Sequence, residues 1–67
     1  MLIRDYTMPE INRFISDCNF TESEEQYFLL KSKDWSNVRI AFKMNISEQQ
    51  VSKLARRVKD KINRVNV

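Results

Sequence analysis

The hydrophobic positions along the chain repeat with helical spacing. Around residues 8–17 the apolar side chains fall at i, i+3, i+4 and i+7, which forms a stripe on one face of a helix. These side chains are Ile11, Phe14, Ile15 and Cys18. The stripe predicts a helix that covers the others by one face, which we call the lid helix. A second helix is predicted for residues 22–32, where the four consecutive apolar side chains of residues 27–30 point all round the helix axis. We therefore expect this helix to lie at the centre of the fold.

The last predicted helix is the longest. It occupies residues 48–63, with its end near position 64, and measures roughly 25 Å at 1.5 Å per residue. Its core face consists of side chains that fall within about 100° of one another, namely Val51, Leu54, Ala55, Val58 and Ile62. The opposite face is polar, with Gln49, Lys53, Arg56 and Asp60. That outward face is the candidate for contact with a ligand.

Residues 35–54 have the pattern of two capped helices separated by a tight turn, and the second of these is the beginning of the long last helix. Ser36 and Ser47 stand where N-caps are expected, and Gln50 completes a capping box three residues after Ser47. The turn requires a residue with φ > 0 at position 45, which is most often glycine. Asn45 occupies it here, and asparagine tolerates that conformation better than most side chains. This arrangement is typical of a helix-turn-helix.

Capping boxes also mark two helix starts upstream. Thr7 pairs with Glu10 and Thr21 with Glu24, so four helices are expected in all. With no glycine and one proline, the chain has almost none of the turn residues that hairpins need, and period-2 alternation is absent. We therefore predict an all-α fold, a four-helix small domain that contains a helix-turn-helix and an extra N-terminal helix.

Composition narrows the function classes. A chain of 67 residues, 42% of them hydrophobic, is expected to form one small domain with a small hydrophobic core. One cysteine cannot form an internal disulfide, and without histidine no zinc site is expected. No apolar run approaches the roughly 20 residues of a membrane span, and the N-terminus lacks the pattern of a signal peptide. We expect a cytoplasmic protein that needs no metal or cofactor and has no contact with a membrane.

The side chains on which enzymes usually depend are also missing. Without histidine, with one cysteine and without a glycine-rich phosphate loop, the common nucleophile, base and nucleotide-binding combinations cannot be assembled. Glu22, Glu24 and Glu25 lie in the first turn of a helix, where the macrodipole favours acidic residues. We predict that the protein is not an enzyme and has no catalytic residues.

Charge is distributed unevenly between the two halves of the chain. Residues 1–35 contain four basic and seven acidic side chains, a net charge of −3, whereas residues 36–67 contain eight basic and two acidic ones, a net charge of +6. The basic half is the one that contains the predicted helix-turn-helix. Basic helix faces are often merely solvated, but together with that motif the asymmetry favours a domain that offers one face to phosphates.

Residues 20–65, about two-thirds of the chain, resemble the helix-turn-helix of bacterial sigma factor region 4 and of LuxR-type response regulators. The resemblance depends on the acidic helix FTESEEQYFLLKSKD followed by WSNVRIAFKMNISEQQVSKLARRVKDKI. The chain is also similar to small standalone proteins of this type from Firmicutes and their phages. Residues 1–67 are then a single helix-turn-helix domain, in which residues 1–19 supply the lid helix outside the family unit.

The resemblance implies double-stranded DNA as the ligand. The helix of residues 48–63 would enter the major groove by its N-terminal half, where base edges present a unique pattern of donors and acceptors. The residues expected to contact bases are Gln49, Gln50, Ser52 and Lys53. Phosphate contacts are expected from Arg39, Lys43, Arg56 and Arg57, and from the backbone N–H of Ser47 or Glu48 at the helix start.

Two functions are compatible with this pattern. The first is a sequence-specific DNA-binding transcriptional regulator. The alternative is a protein-interaction module that binds RNA polymerase or another regulator through the acidic helices of residues 8–17 and 22–32. Because one unit of this size contacts few base pairs, DNA binding would favour a homodimer or docking beside a larger protein. The exposed edge of the lid helix, or the tail from Ile62, would then be the dimer surface.

Overall fold

The computed structural model of the chain describes residues 6–66, which form four α-helices and no strand. The helices are α1 (Met8–Asp17), α2 (Glu22–Ser32), α3 (Asn37–Met44) and α4 (Glu48–Asn66). The all-α prediction is therefore confirmed, and α4 extends three residues beyond the predicted end at position 63. None of the described helices combines the length and hydrophobicity that crossing a membrane requires.

All four predicted N-caps are confirmed. The side chains of Thr7 and Thr21 each accept a hydrogen bond from the backbone N–H three residues on. The side chains of Glu10 and Glu24 in turn accept from the backbone N–H of Thr7 and Thr21, which completes two capping boxes. The Ser36 hydroxyl accepts from Arg39 N at 3.2 Å. At the start of α4, Ser47 Oγ accepts from Gln50 N and Gln50 Oε1 accepts from Ser47 N, each at 3.2 Å. Each helix therefore begins where a side chain satisfies backbone donors that the helix itself leaves unpaired.

All three connections between helices contain a left-handed residue, although the chain has no glycine. The φ angles are 54° at Asn19, 65° at Asp34 and 58° at Asn45, which confirms the positive φ predicted for position 45. After α3, Asn45 N–H donates to Phe42 O and Ile46 N–H to Ala41 O, the bond pattern of a Schellman motif. These turns use the side chains that tolerate the left-handed region best after glycine.

The core lies between α2 and α4, which make the most extensive helix contact in residues 6–66. The four side chains that are completely buried in this part of the chain come from α2, α3 and α4, and are Phe28, Ile40, Val51 and Val58. The predicted core face of α4 is confirmed, since it contributes buried Val51, Leu54, Val58 and Ile62 with Ala55 packed against them. Helix α2 contacts each of the other three helices, as expected of a central element. One of its four consecutive apolar side chains, Leu29, nevertheless lies exposed.

Helix α1 covers the core through aromatic contacts. The Phe14 ring meets Phe28 of α2 edge-on, with centroids 6.3 Å apart, and lies 5.0 Å from Tyr6. Phe20, between α1 and α2, approaches Phe28 from another direction at 5.2 Å. Ile11, Phe14 and Cys18 are buried. The predicted lid helix therefore packs by its apolar stripe on α2 and α4, with Phe28 as its main aromatic contact in α2.

A partly buried ion pair joins the beginning of α2 to α4. Glu24 is 2% exposed, and its Oε1 accepts from Lys61 Nζ at 2.5 Å and from Thr21 N at 2.9 Å. Lys61 Nζ also donates to the Asn19 carbonyl oxygen at 3.2 Å. The sequence explained Glu24 by helix capping alone. In the fold the same carboxylate additionally fixes α4 against the turn between α1 and α2.

Candidate nucleic-acid interface

The start of α4 is held in one rotational setting. The reciprocal bonds of Ser47 and Gln50 fix its first turn, and Val51 is completely buried one residue later. With that side chain pointing inwards, the flanking positions must point to solvent, because successive helical residues are about 100° apart. The residues predicted to contact DNA are all exposed.

Three of the predicted residues line one groove. Gln50, Lys53 and Arg57, on successive turns of α4, form a wall of a cavity of about 460 Å³. The apolar side chains of Met44, Ile46 and Leu54 also line it. A polar and cationic wall over an apolar floor suits a ligand with both anionic and flat apolar parts, as a nucleic acid has.

The other wall comes from the beginning of α2 and was missed by the sequence analysis. Thr21, Ser23 and Gln26 line the same groove as the α4 residues. The capping box at Thr21 marked this helix start, but only the packing of α2 on α4 places it beside Lys53 and Arg57. Hydroxyl and amide groups at a helix start are suitable donors to a phosphate oxygen.

The remaining α4 residues lie beside this groove. Gln49, Ser52 and Arg56 are exposed but do not line it. At about 100° per residue, Gln49, Lys53 and Arg56 share the outward face of α4, and Ser52 lies at its edge. The prediction of base and phosphate contacts for these side chains stays a prediction.

Arg39 and Lys43 belong to a different surface. Both line a second groove, of about 410 Å³, together with Trp35, Val38 and Phe42 on the outer side of α3. The Arg39 guanidinium carbon lies 4.0 Å from the centroid of the Trp35 ring, a cation–π contact. The structure therefore separates the predicted phosphate-binding residues into an α4 group and an α3 group.

The capping of α4 also changes one predicted contact. The Ser47 N–H, which the sequence analysis offered to a phosphate, donates to Gln50 Oε1. The same bond holds the Gln50 side chain back at the helix start. A phosphate bound at this end would have to displace that bond or use the N–H of the next residue, Glu48.

The three α4 cations predicted to contact DNA lie outside the ion pairs of the described residues. Within residues 6–66 the ion pairs join Arg13 to Asp17, at 3.5 Å, and Lys61 to Glu24. Lys53, Arg56 and Arg57 take part in neither. Their positive potential therefore faces solvent, which is the electrostatic condition for attracting a polyanion.

The described residues contain no group of three or more His, Cys, Asp or Glu side chains that could hold a metal ion. Burial raises the pKa of the Cys18 thiol, and nearby Asp17 raises it further, although Lys61 opposes both. Such a thiol is a weak nucleophile.

No family model matches the chain, and no curated protein or solved structure matches it either.

Proposed function

We propose that the protein is a sequence-specific, double-stranded DNA-binding transcriptional regulator and that α3, residues 45–47 and α4 act as a helix-turn-helix. The observation that carries the proposal is the groove in which Gln50, Lys53 and Arg57 of α4 face the beginning of α2. It combines unpaired cations, hydrogen-bonding side chains and a fixed helix start on one surface. The resemblance to sigma factor region 4 supports the same assignment.

In this proposal the N-terminal half of α4 lies in the major groove. Lys53 donates to a guanine edge, while Gln49 and Ser52 contact neighbouring bases. Arg56 and Arg57, one turn further along, bind phosphates and set the register of the helix on the duplex. Gln50 reaches a base only if it leaves the Ser47 N–H, so it is the weakest of the base contacts.

The surface facing Lys53 completes the proposed site. Ser23 and Gln26 of α2 donate to the phosphate backbone that Arg57 binds from α4, while Lys53 is directed at a base edge. Exposed Glu22 stands at the same helix end and has the wrong sign for a phosphate. That charge limits how far the DNA surface extends along α2.

A single unit of this size contacts few base pairs, so regulation at a specific site requires a second DNA-contacting unit. We propose either a homodimer on a two-fold symmetric site or docking beside a larger DNA-bound protein such as RNA polymerase. A cytoplasmic location follows from the proposed role. No cofactor takes part in it.

The proposal is tested by fluorescence anisotropy with a labelled mixed-sequence duplex over a salt series. Wild-type protein should bind, with an affinity that falls steeply as salt rises, because bound cations release counterions from DNA. Arg56→Ala should weaken binding equally on all sequences and reduce the salt slope by about 1. Lys53→Ala should cost about 1–3 kcal/mol on a selected site and relax the preference at one base pair.

Arg13→Ala is the matched control, because it removes one positive charge from α1 instead of α4. It should leave the affinity within about twofold, since exposed charges more than about 10 Å away are screened at ordinary ionic strength. An absence of binding at low salt would reject the proposal. So would an Arg13→Ala variant that loses as much affinity as Arg56→Ala.

A further inference from the structure

The outer side of α3 carries an exposed apolar patch that the core does not use. Phe42 is 92% exposed and Val38, one turn earlier, is 62% exposed. Together with half-buried Trp35 they line the groove of about 410 Å³. The core residues of this helix, Ile40 and Ala41, point the other way. Contiguous apolar side chains that form a groove mark an interaction site more often than a single exposed one does.

The rim of this patch is basic. Arg39 and Lys43 line the groove with the apolar side chains, and the remaining lining residue, Ser36, is uncharged. Arg39 is held over the Trp35 ring, so one of the two charges is placed directly above the apolar surface. No carboxylate of the described residues lines the groove. A ligand that complements it must be apolar at its centre and negatively charged at its edges.

We propose that this surface, the α3 patch (Trp35, Val38, Arg39, Phe42 and Lys43), docks an acidic amphipathic segment of a partner protein. Apolar side chains of the segment would cover Val38 and Phe42, and its carboxylates would pair with Arg39 and Lys43. The α3 helix spans about 12 Å at 1.5 Å per residue, so two turns of a partner helix match its length. The inference is independent of the proposed DNA binding by α4.

Charge distinguishes this occupant from the other two that the patch could receive. In a symmetric dimer formed through α3, the same patch would lie on both sides of the contact and would bring the cations of two copies together, with no carboxylate of the patch to pair with them. A DNA backbone would satisfy the two cations but would leave Val38 and Phe42, the exposed apolar side chains of the same groove, against phosphates. An acidic segment with apolar side chains complements both the cations and the apolar side chains of the patch.

The probe is a fluorescein-labelled helical peptide of about 16 residues made of Glu, Leu and Phe, with its apolar residues at i, i+3, i+4 and i+7. Binding to the full-length chain is measured by anisotropy, and the site is located by ¹⁵N chemical-shift changes. We expect saturable binding with shifts centred on α3. Phe42→Ala should weaken it by about tenfold or more, as expected for a central aromatic contact. Arg39→Ala should weaken it less and reduce its salt dependence.

Met8→Ala is the control, because Met8 is another exposed apolar side chain, 63% exposed, and lies on α1 instead of α3. It should leave peptide affinity unchanged, and a peptide with Lys in place of Glu should not bind. An absence of saturable binding, or binding unaffected by Phe42→Ala, would overturn the proposal. Concentration-dependent dimerisation that Phe42→Ala abolishes would assign the patch to a second copy instead. Loss of duplex binding in Phe42→Ala, with peptide binding absent, would assign it to DNA.

Discussion

Asn45 is the residue on which the geometry of α3 and α4 depends. Its φ of 58° and ψ of 45° lie in the left-handed region, where a side chain with a Cβ atom costs roughly 1–2 kcal/mol. Asparagine reduces that cost, and the bond from Ile46 N to Ala41 O closes the turn at 3.0 Å. The position therefore selects for a short polar side chain or glycine, as the sequence predicted.

Substitutions at position 45 should reveal this requirement. Asn45→Ala should lower the free energy of unfolding by about 1 kcal/mol, whereas Asn45→Gly should stay within about 0.5 kcal/mol of wild type, because relief of strain is offset by greater freedom of the unfolded chain. Urea unfolding followed by Trp35 fluorescence measures both. Asn63→Ala, the same change at an exposed helical position, should be neutral or slightly stabilising. Equal losses at the two positions would contradict the argument.

The pair formed by Glu24 and Lys61 should behave as a coupled unit. Lys61→Met leaves a buried carboxylate without its cation and should cost about 3 kcal/mol. Glu24→Gln keeps an acceptor for the Thr21 N–H and leaves Lys61 partly solvated, so its cost should be about 1–2 kcal/mol. In the Glu24→Gln background, Lys61→Met should cost less than about 1 kcal/mol. Thermal melts of the four proteins would contradict this coupling if the two losses simply added.

At the level of elements, α1 is attached differently from the rest. It contacts α2 and α4 but not α3, and less extensively than α2 and α4 contact each other. The Phe14 ring of α1 contacts Phe28 of α2. Cys18, the residue that follows α1, is also buried. A helix with few buried contacts opens at lower free energy than the core does. We therefore expect α1 to open locally.

Labelling of Cys18 by a thiol reagent measures that opening. In the native protein it should be slow, because the thiol is buried and its pKa is raised. Ile11→Val, which removes one methyl group under α1, should accelerate labelling about fivefold if it costs about 1 kcal/mol. Ile40→Val is the matched control in α3 and should have little effect in the absence of urea. Equal acceleration by both variants would show that exposure of Cys18 requires global unfolding.

For the whole molecule, the sequence predicted what is local and missed what depends on packing between distant segments. Helix starts, the turn at Asn45 and the core face of α4 follow from spacing within a few residues. The bond from Lys61 to Glu24 joins positions 37 residues apart, and the place of Ser23 beside Lys53 depends on how α2 lies on α4. The separation of Arg39 from the α4 cations has the same cause, because helical spacing orients each helix but does not place one helix relative to another.

The charge of the whole molecule makes acid a specific test of this packing. Protonating the nine acidic side chains would raise the net charge from +3 to +12, which destabilises a compact basic domain by self-repulsion. Glu24 adds a defined contribution. Burial disfavours its charged form, but the hydrogen bonds from Lys61 and Thr21 and the charge of Lys61 outweigh burial, so the pKa of its carboxyl lies below the ordinary 4.5. The unfolded chain therefore takes up this proton more readily than the folded one, and the contribution of Glu24 is complete above about pH 4.5 and is lost as pH falls through the folded pKa.

Urea unfolding of wild type and Glu24→Gln between pH 7 and pH 3 separates this contribution from general repulsion. Wild type should be the more stable protein at pH 7, and the difference should shrink as pH falls below about 4.5, because the unfolded chain then binds the Glu24 proton more readily than the folded one. Both proteins should lose stability through repulsion, and moderate salt should reduce that shared part because it screens exposed charges. If the two curves instead remained parallel down to pH 3, the carboxylate of Glu24 would not be ionised against Lys61 in the folded protein.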